Sequence, residues 1–463
     1  MRSAVLVACV CLLIGLGASV ALPAPGDLVW SHETGDVIRS SPAVSGDYLY
    51  VGSWDDKVYC LDADTGAWVW EYQTGDDVYS SPTVSGGYLY VGSWDGKVYC
   101  LDVVTGALVW SYQTGDRVTS SPAVCGGYVY VGSCDRNVYC LDAATGTREW
   151  SYETGYSVHS SPAVTGGYVY VGSCDKKLYS LEAATGAHVW SYQTVEDVYS
   201  SPAVCGGRAY VGGFDRRVYC LDAPTGSLLW SYETGDDIYS SPAVSDGYVY
   251  IGSYDGKVYC LDAEKGSPVW SYQTGGSVFS SPAVSGGCVY VGSWDNMVYC
   301  LHAATGALVW SYETGGDVYS SPVVNGGHVY VGSDDHKVYC LEAAPGDIGE
   351  WPMFRHDPCH TGCLNHFRID LSDGWNLIGF GDCDCDPVDL ALVTISDGRE
   401  TKWWDEAVSA AWIQEPAFWF VDHLGYRTLG TSPPDWDSTT IDPGLGYWLL
   451  NQSGGPLTLN IPR

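Results

Sequence analysis

Tryptophan stands at Trp30, Trp70, Trp110, Trp150, Trp190, Trp230, Trp270 and Trp310, and Ser-Ser-Pro begins at Ser40, Ser80, Ser120, Ser160, Ser200, Ser240, Ser280 and Ser320. A 40-residue period held without a gap through eight copies is one supersecondary unit, duplicated and stacked. A single copy cannot bury its own apolar surface, so neighbouring copies must cover it. Copies this alike build a scaffold, and any chemistry is to be sought in the residues that break the pattern.

One unit, Val78 to Gln113, shows how the copies fold. A short extended run through Ser80-Ser-Pro ends at Ser85-Gly86-Gly87, where glycine accepts the positive φ of a tight turn. Tyr88–Gly92 is a second strand, Asp95-Gly96 a hairpin turn and Lys97–Asp102 a third strand. Thr105-Gly106 turns into a fourth strand that carries Trp110. No unit holds a useful 3.6-residue apolar stripe, which excludes helical repeats. Consecutive apolar residues such as Val98, Tyr99, Cys100 and Leu101 require both faces of the strand to be buried. The fold expected is all-β: an eight-bladed β-propeller of four-stranded blades over residues 27–350.

The copy count implies the closure. The first Trp strand, Leu28–His32, precedes any Ser-Ser-Pro, and the last unit has Glu350 where Trp is due. Leu28–His32 should therefore complete the eighth blade by pairing around Lys337–Leu341.

The form Leu141-Asp-Ala-Ala-Thr-Gly-Thr-Arg-Glu-Trp150 resembles the tryptophan-docking repeats of the pyrroloquinoline-quinone (PQQ) type propeller family, and the resemblance covers about Gly26 to Gly362. It implies that the eight periodic tryptophans are structural, packing between blades with the indole N–H bonded to a neighbouring blade. Members include quinone-dependent dehydrogenases and the BamB-like outer-membrane assembly lipoproteins. Their dehydrogenases use a vicinal Cys-Cys disulfide, a bound calcium and an Asp base. This chain has no Cys-Cys pair, no insertion in its repeats, and neither a Gly-x-Ser-x-Gly nor a His-Glu-x-x-His motif. Neither a catalytic residue nor a cofactor or metal ligand is assigned.

Arg2, the apolar stretch Ala4–Val20 and the small residues Ser19-Val20-Ala21 read as a signal peptide cleaved near Ala21. The expected location is secreted, periplasmic or cell-surface. No cysteine lies between Cys11 and Cys60 to carry a lipid, and no later run is long enough to span a bilayer. The net charge of −34 argues against nucleic acid and anionic membranes as partners. A monomer is expected.

Cys60, Cys100, Cys140, Cys220, Cys260, Cys300 and Cys340 share one repeat position, and Ser180 fills the eighth. Equivalent positions on stacked sheets lie about 10 Å apart, beyond the roughly 7 Å a disulfide tolerates. These seven are expected to be buried free thiols. Residues 351–366 form a linker with His356, Cys359, His360, Cys363 and His366. Disulfides, with Cys383 and Cys385 as further partners, and a zinc site are the readings open there. Trp351–Gly362 also resembles a flanking motif of secreted members of the family.

The period is gone from about Asn365, and residues 367–463 read as a small, mostly β C-terminal domain resembling modules of secreted bacterial proteins. Strands are expected at Gly374–Phe380, Leu390–Ile395, Ala417–Val421 and Gly446–Leu450, with a short helix over Thr401–Trp412. The aspartates around Asp382–Asp389 read as a polar turn, because Pro387 and Val393 stand where a calcium loop needs Gly and Glu.

Variation between copies points to a binding face. The residue before Ser-Ser-Pro is in turn Arg39, Tyr79, Thr119, His159, Tyr199, Tyr239, Phe279 and Tyr319. The residue before the recurrent aspartate (Asp55 and its equivalents, read as turn residues) is Trp54, Trp94, Cys134, Cys174, Phe214, Tyr254, Trp294 and Asp334. Both sets belong to loops at one end of a propeller and should ring one mouth of its channel, joined by cations such as Lys57, Lys97 and Arg217. Aromatic rings beside cations suit a protein or glycan partner. The alternative is that they only cap the packing of the blades. The function expected is that of an exported, noncatalytic binding scaffold. The alternatives are a PQQ-dependent oxidoreductase and a BamB-like assembly factor.

Overall fold

The computed structural model describes residues 24–344, Phe354 and His360 with their side chains, and beyond them backbone strands between Cys363 and Ile461. Eight antiparallel four-stranded sheets follow the sequence period. Blade 1 comprises Ala43–Ser45, Tyr48–Gly52, Lys57–Asp62 and Trp68–Gln73, from channel to rim. Blades 2 to 7 repeat it every 40 residues. The eighth takes three strands from Val323–Glu342, and its fourth is Leu28–Glu33, antiparallel to Lys337–Glu342 with Trp30 opposite Cys340. The ring thus closes with the two ends of the repeat array in one sheet, as the orphan first strand implied.

Within a blade the register sets Tyr50 opposite Cys60, and Cys60 opposite Trp70. The Tyr50 and Trp70 rings meet 5.8 Å apart over the cysteine. That contact passes above the third strand, which therefore needs a small residue there. Cys60 is fully buried and free, and burial pushes its thiol up to about 12. Cys100, Cys140, Cys220, Cys260 and Cys340 are likewise free and buried, and Cys300 is buried. In blade 4 Ser180 fills the slot, also fully buried.

Ser-Ser-Pro is explained by two interactions. The first serine's Oγ accepts the Gly N–H twelve residues on, as Ser40 does from Gly52 at 3.1 Å. The second serine bonds blade to blade. Ser41 N–H donates to Ser81 Oγ at 3.0 Å, and the pattern continues around the channel until Ser321 N–H donates to Ser41 Oγ at 3.0 Å. The eight bonds form a closed ring of buried donors, each satisfied by the next blade.

The periodic tryptophans form the outer seam. Trp30 donates its indole N–H to Ala63 O of the next blade at 2.9 Å, and six more do the same. Each of these rings lies on the glycine of that blade's third turn, Thr-Gly in most blades and Lys265-Gly266 under Trp230. At Gly66, with φ of 69°, a Cβ would sit 2.5 Å from Trp30, so the close approach itself requires glycine. At the closure Trp310 packs on Gly26 instead, and its N–H has no acceptor among the described residues.

Beyond the propeller, the strands form two four-stranded sheets and a two-stranded pair. They include the expected strands at Gly374–Gly379, Thr394–Ser396, Trp419–Asp422 and Gly446–Asn451. Thr401–Trp403, expected to open a helix, is a strand paired with Thr394–Ser396. The rest of that helix, the signal peptide and the Asp382–Asp386 part of the turn lie outside the described residues.

Candidate functional site: the aromatic mouth

Two loops of each blade meet at one end of the ring, stitched together by the recurrent aspartate. Asp55 Oδ2 accepts Gly35 N–H of the loop entering the blade at 2.9 Å, and also the hydroxyl of Tyr59. Trp54 N–H bonds Val37 O of the same entering loop at 3.1 Å. These aspartates are therefore turn clasps, as their repetition implied, although they tie a second loop as well as their own. The left-handed residue after each is glycine in only two blades. Asp56, Arg136, Lys176, Arg216, Asn296 and His336 hold φ between 64° and 77° in the others.

The variable residues carried by these loops pack into one cluster. Trp54 and Trp94 lie 5.2 Å apart, with Tyr79 stacked 6.3 Å from Trp94. On the far side His159 stacks on Tyr199 at 4.9 Å and Tyr199 on Phe214 at 4.5 Å. Phe279 stacks on Trp294 at 3.9 Å and meets Tyr254 at 4.0 Å, Tyr239 at 5.1 Å and Tyr319 at 5.0 Å. Across the middle, the hydroxyls of Tyr79 and Tyr239, from blades 2 and 6, are bonded at 3.0 Å. These blades face each other in an eightfold ring, so the pair bridges the channel. Burial raises both hydroxyls above the ordinary tyrosine range, Tyr239 furthest.

Arg39 and Asp334, the two charged members of the variable sets, find each other across the closure. The Arg39 guanidinium donates to both carboxylate oxygens, at 3.2 and 2.8 Å, and lies 4.5 Å from the Trp54 ring and 4.0 Å from Tyr319. Arg117 lies over Trp94 at 4.4 Å. Of the cations expected at the mouth, two turn away from it: Lys57 reaches Glu71 on the outer strand at 2.8 Å, and Arg217 reaches Glu233 at 2.9 Å, whereas Lys97 lies 3.7 Å from Asp95, the clasp of its own turn. The start of the third strand lies beside the outer strand, so Lys57 and Arg217 meet the acids that their outer strands carry. Blades 3 and 4 put thiols and imidazole where the others put rings: Thr119 bonds His159 Nδ1 at 2.9 Å, and Cys134 Sγ lies 3.9 Å from the same nitrogen. Burial holds His159 below the usual histidine range.

Sequence reasoning missed the acidic rim. Asp77, Asp197, Asp237 and Asp317 share the position three before Ser-Ser-Pro, and their carbonyls accept the N–H of Trp94, Phe214, Tyr254 and Asp334. Burial lifts each carboxyl above its ordinary range, with neighbouring acids adding to it at Asp77. The signal lay in a variable column beside the two that were read.

The opposite end of the channel is entered by the linker. His360, fully buried, bonds Thr83 Oγ1 through Nε2 at 3.0 Å, and Phe354 meets its ring edge-on at 5.7 Å. Thr83 breaks a column of alanines and one valine on the inner strands, the one polar residue at that level. Cys363–Leu364 then pairs in parallel with the inner strand Ala243–Ser245 of blade 6. Cys125 and Cys205, at the ends of two inner strands, each take part in a disulfide. The remaining linker ligands considered for zinc, His356, Cys359 and His366, lie outside the described residues, as does the side chain of Cys363.

Two family models match the propeller: the β-propeller of the beta-alanine-activating enzyme over residues 19–206, and outer membrane protein assembly factor BamB over 196–281 and 275–356. Among solved structures, BamB from Moraxella catarrhalis superposes with a TM-score of 0.61 at 21% identity, covering 68% of this chain and 99% of that one. The computationally designed Ika8 protein gives 0.63 at 19% identity, covering 68% and 99%. A europium-containing methanol dehydrogenase gives 0.58 at 17% identity, covering 73% and 89%. At these identities the likeness is one of fold. No curated relative matches the chain significantly. With its docking tryptophans, its eight blades and these matches, the chain belongs to the PQQ-type β-propeller family.

Proposed function

We propose that this protein is an exported, noncatalytic scaffold that binds a protein partner at the aromatic mouth. The observation that carries the reading is the Tyr79–Tyr239 bridge. It and the rings packed around it fill the channel entrance, so the mouth offers a half-buried surface to lie against rather than a chamber to enter. Aromatic surfaces give large contact areas at little entropy cost, which suits protein recognition. The BamB family model, named for an assembly factor, points the same way. Candidate contacts are Arg39, Trp54, Tyr79, Trp94, His159, Tyr199, Phe214, Tyr239, Tyr254, Phe279, Trp294 and Tyr319.

The second reading is a PQQ-dependent oxidoreductase, which has a solved-structure neighbour in methanol dehydrogenase. The residues present do not fit a planar quinone at the mouth. Phe279 and Trp294 already stack at 3.9 Å, the spacing of rings in contact, and the chain lacks the vicinal cysteines of the quinone enzymes.

The test is a pull-down from envelope or culture extract with three forms of the protein. They are the native chain, a Trp54→Ala/Trp94→Ala/Trp294→Ala variant, and a chain ending at Asn365, which keeps the strand bonded to blade 6. Partners lost only with the tryptophans support the mouth. Partners lost only with the truncation move binding to the C-terminal region, and substrate-dependent dye reduction on adding PQQ and calcium refutes the noncatalytic assignment.

A further inference from the structure

The repeat lays out a place for a cation over a mouth tryptophan and leaves one such place to a carboxylate. A residue on the entering loop reaches the mouth residue 23 positions before it. Ser157 Oγ donates to Cys134 O at 3.1 Å, and Ser277 Oγ to Tyr254 O at 2.9 Å. At the same spacing, the Arg117 guanidinium lies 4.4 Å from the Trp94 ring. By the repeat, Asp77 stands in that relation to Trp54 and Asp317 to Trp294. Trp54 is nevertheless covered by a cation, because Arg39 reaches it from the closure. Trp294 has Phe279 stacked on one face, and among the described residues no cation lies over it.

A carboxylate beside an indole face is a poor electrostatic match, since the face of the ring is itself electron-rich. An ammonium or guanidinium placed there would satisfy both. Burial raises the four rim aspartates; at Asp317 the nearby Arg39 offsets part of that, and a further positive neighbour would offset more.

We infer that the mouth takes a basic peptide segment of its protein partner, with a lysine or arginine side chain seated over Trp294 beside Asp317. This rests on the reading of the mouth as a protein-binding face and adds the chemistry of what it binds. Arg39 shows the arrangement within the chain itself, a guanidinium over a mouth ring paired with Asp334, and Arg117 repeats the ring contact over Trp94. The net charge of −34 draws a basic segment in from a distance.

The experiment is calorimetric titration of the full-length exported protein with hexa-arginine and with hexa-glutamate, at low and at raised salt. Hexa-arginine should bind, more weakly as salt screens the rim, and hexa-glutamate should not. Asp317→Asn and Trp294→Ala should each weaken binding about five- to tenfold. Trp294→Phe, which keeps the stack on Phe279, should weaken it less, and a native melt for that variant separates lost contact from lost fold. Asp142→Asn, in a turn at the opposite end of blade 3, should leave binding unchanged. Equal loss in Asp142→Asn, no loss in Asp317→Asn, or no binding of hexa-arginine overturns the inference. Pull-down partners that need the mouth tryptophans but ignore both salt and Asp317→Asn would leave protein binding standing and remove only the basic segment.

Discussion

Replacing Ser41 by alanine should loosen an amide at the far end of the repeat array. Ser41 Oγ is the acceptor for Ser321 N–H at 3.0 Å, 280 residues away in sequence, and both residues are buried. Alanine removes one oxygen and leaves almost no cavity, so the cost is that of a stranded buried donor, about 1–3 kcal/mol. Part is offset because the Ser41 hydroxyl no longer has to be desolvated, giving a net of about 1–2 kcal/mol. In a propeller of this size that lowers the melting temperature by about 1–3 °C. Because a propeller this large need not unfold in one step, the sharper readout is local. Hydrogen exchange at Ser321 should speed up about 5- to 30-fold, while the Ser41 amide, bonded to Ser81, keeps its protection. Ser111→Ala, on an exposed outer strand, is the control and should change stability by less than about 0.5 kcal/mol. Unchanged exchange at Ser321 would mean that the serine ring does not hold the blades together.

Removing residues 24–33 should destabilise the propeller far more than removing the chain beyond Asn365, since it strips the fourth strand of blade 8 and the buried Trp30; a smaller loss on melting would contradict the closure. In a double-mutant cycle, Arg39→Gln and Asp334→Asn should couple by about 1–2 kcal/mol, discounted from a fully buried pair because both side chains are partly exposed. Combining Arg39→Tyr with Asp334→Trp, the commonest residues of their columns, should recover much of that loss. The thiols of Cys60, Cys100, Cys140, Cys220 and Cys260 are raised to about 12 by burial, well above an unfolded thiol. The unfolded chain therefore loses its protons first, and the stability present below pH of about 9 falls as pH rises toward 12, by about 1.4 kcal/mol per pH unit for each thiol. Melting temperatures that stay flat between pH 8 and 11, or fast alkylation of these thiols in the native protein, would refute this. Lys176→Gly, at a φ of 68°, should raise stability by about 0.5–1 kcal/mol, the left-handed strain relieved less the entropy glycine gains when unfolded, as read by a melt.

The sequence by itself determined the period, the number of blades, the unpaired first strand and the need for a small residue at the Cys60 position. Each of these is a property of one unit or of the count of units, and strand pairing within blade 1 joins residues inside one repeat, such as Tyr50 with Cys60 and Lys57 with Gln73. The columns of the mouth were also legible, because copies that are otherwise alike expose the positions that vary. What they do there was decided by the closed ring. It brings Tyr79 to Tyr239 across 160 residues, Arg39 to Asp334 across 295 and Ser321 to Ser41 across 280. It also put His360 against Thr83. A linear period states which residues are equivalent, but not which equivalent residues meet. That depends on the radius of the ring and the direction each side chain takes into the channel, and both arise only when the eight blades pack around one axis.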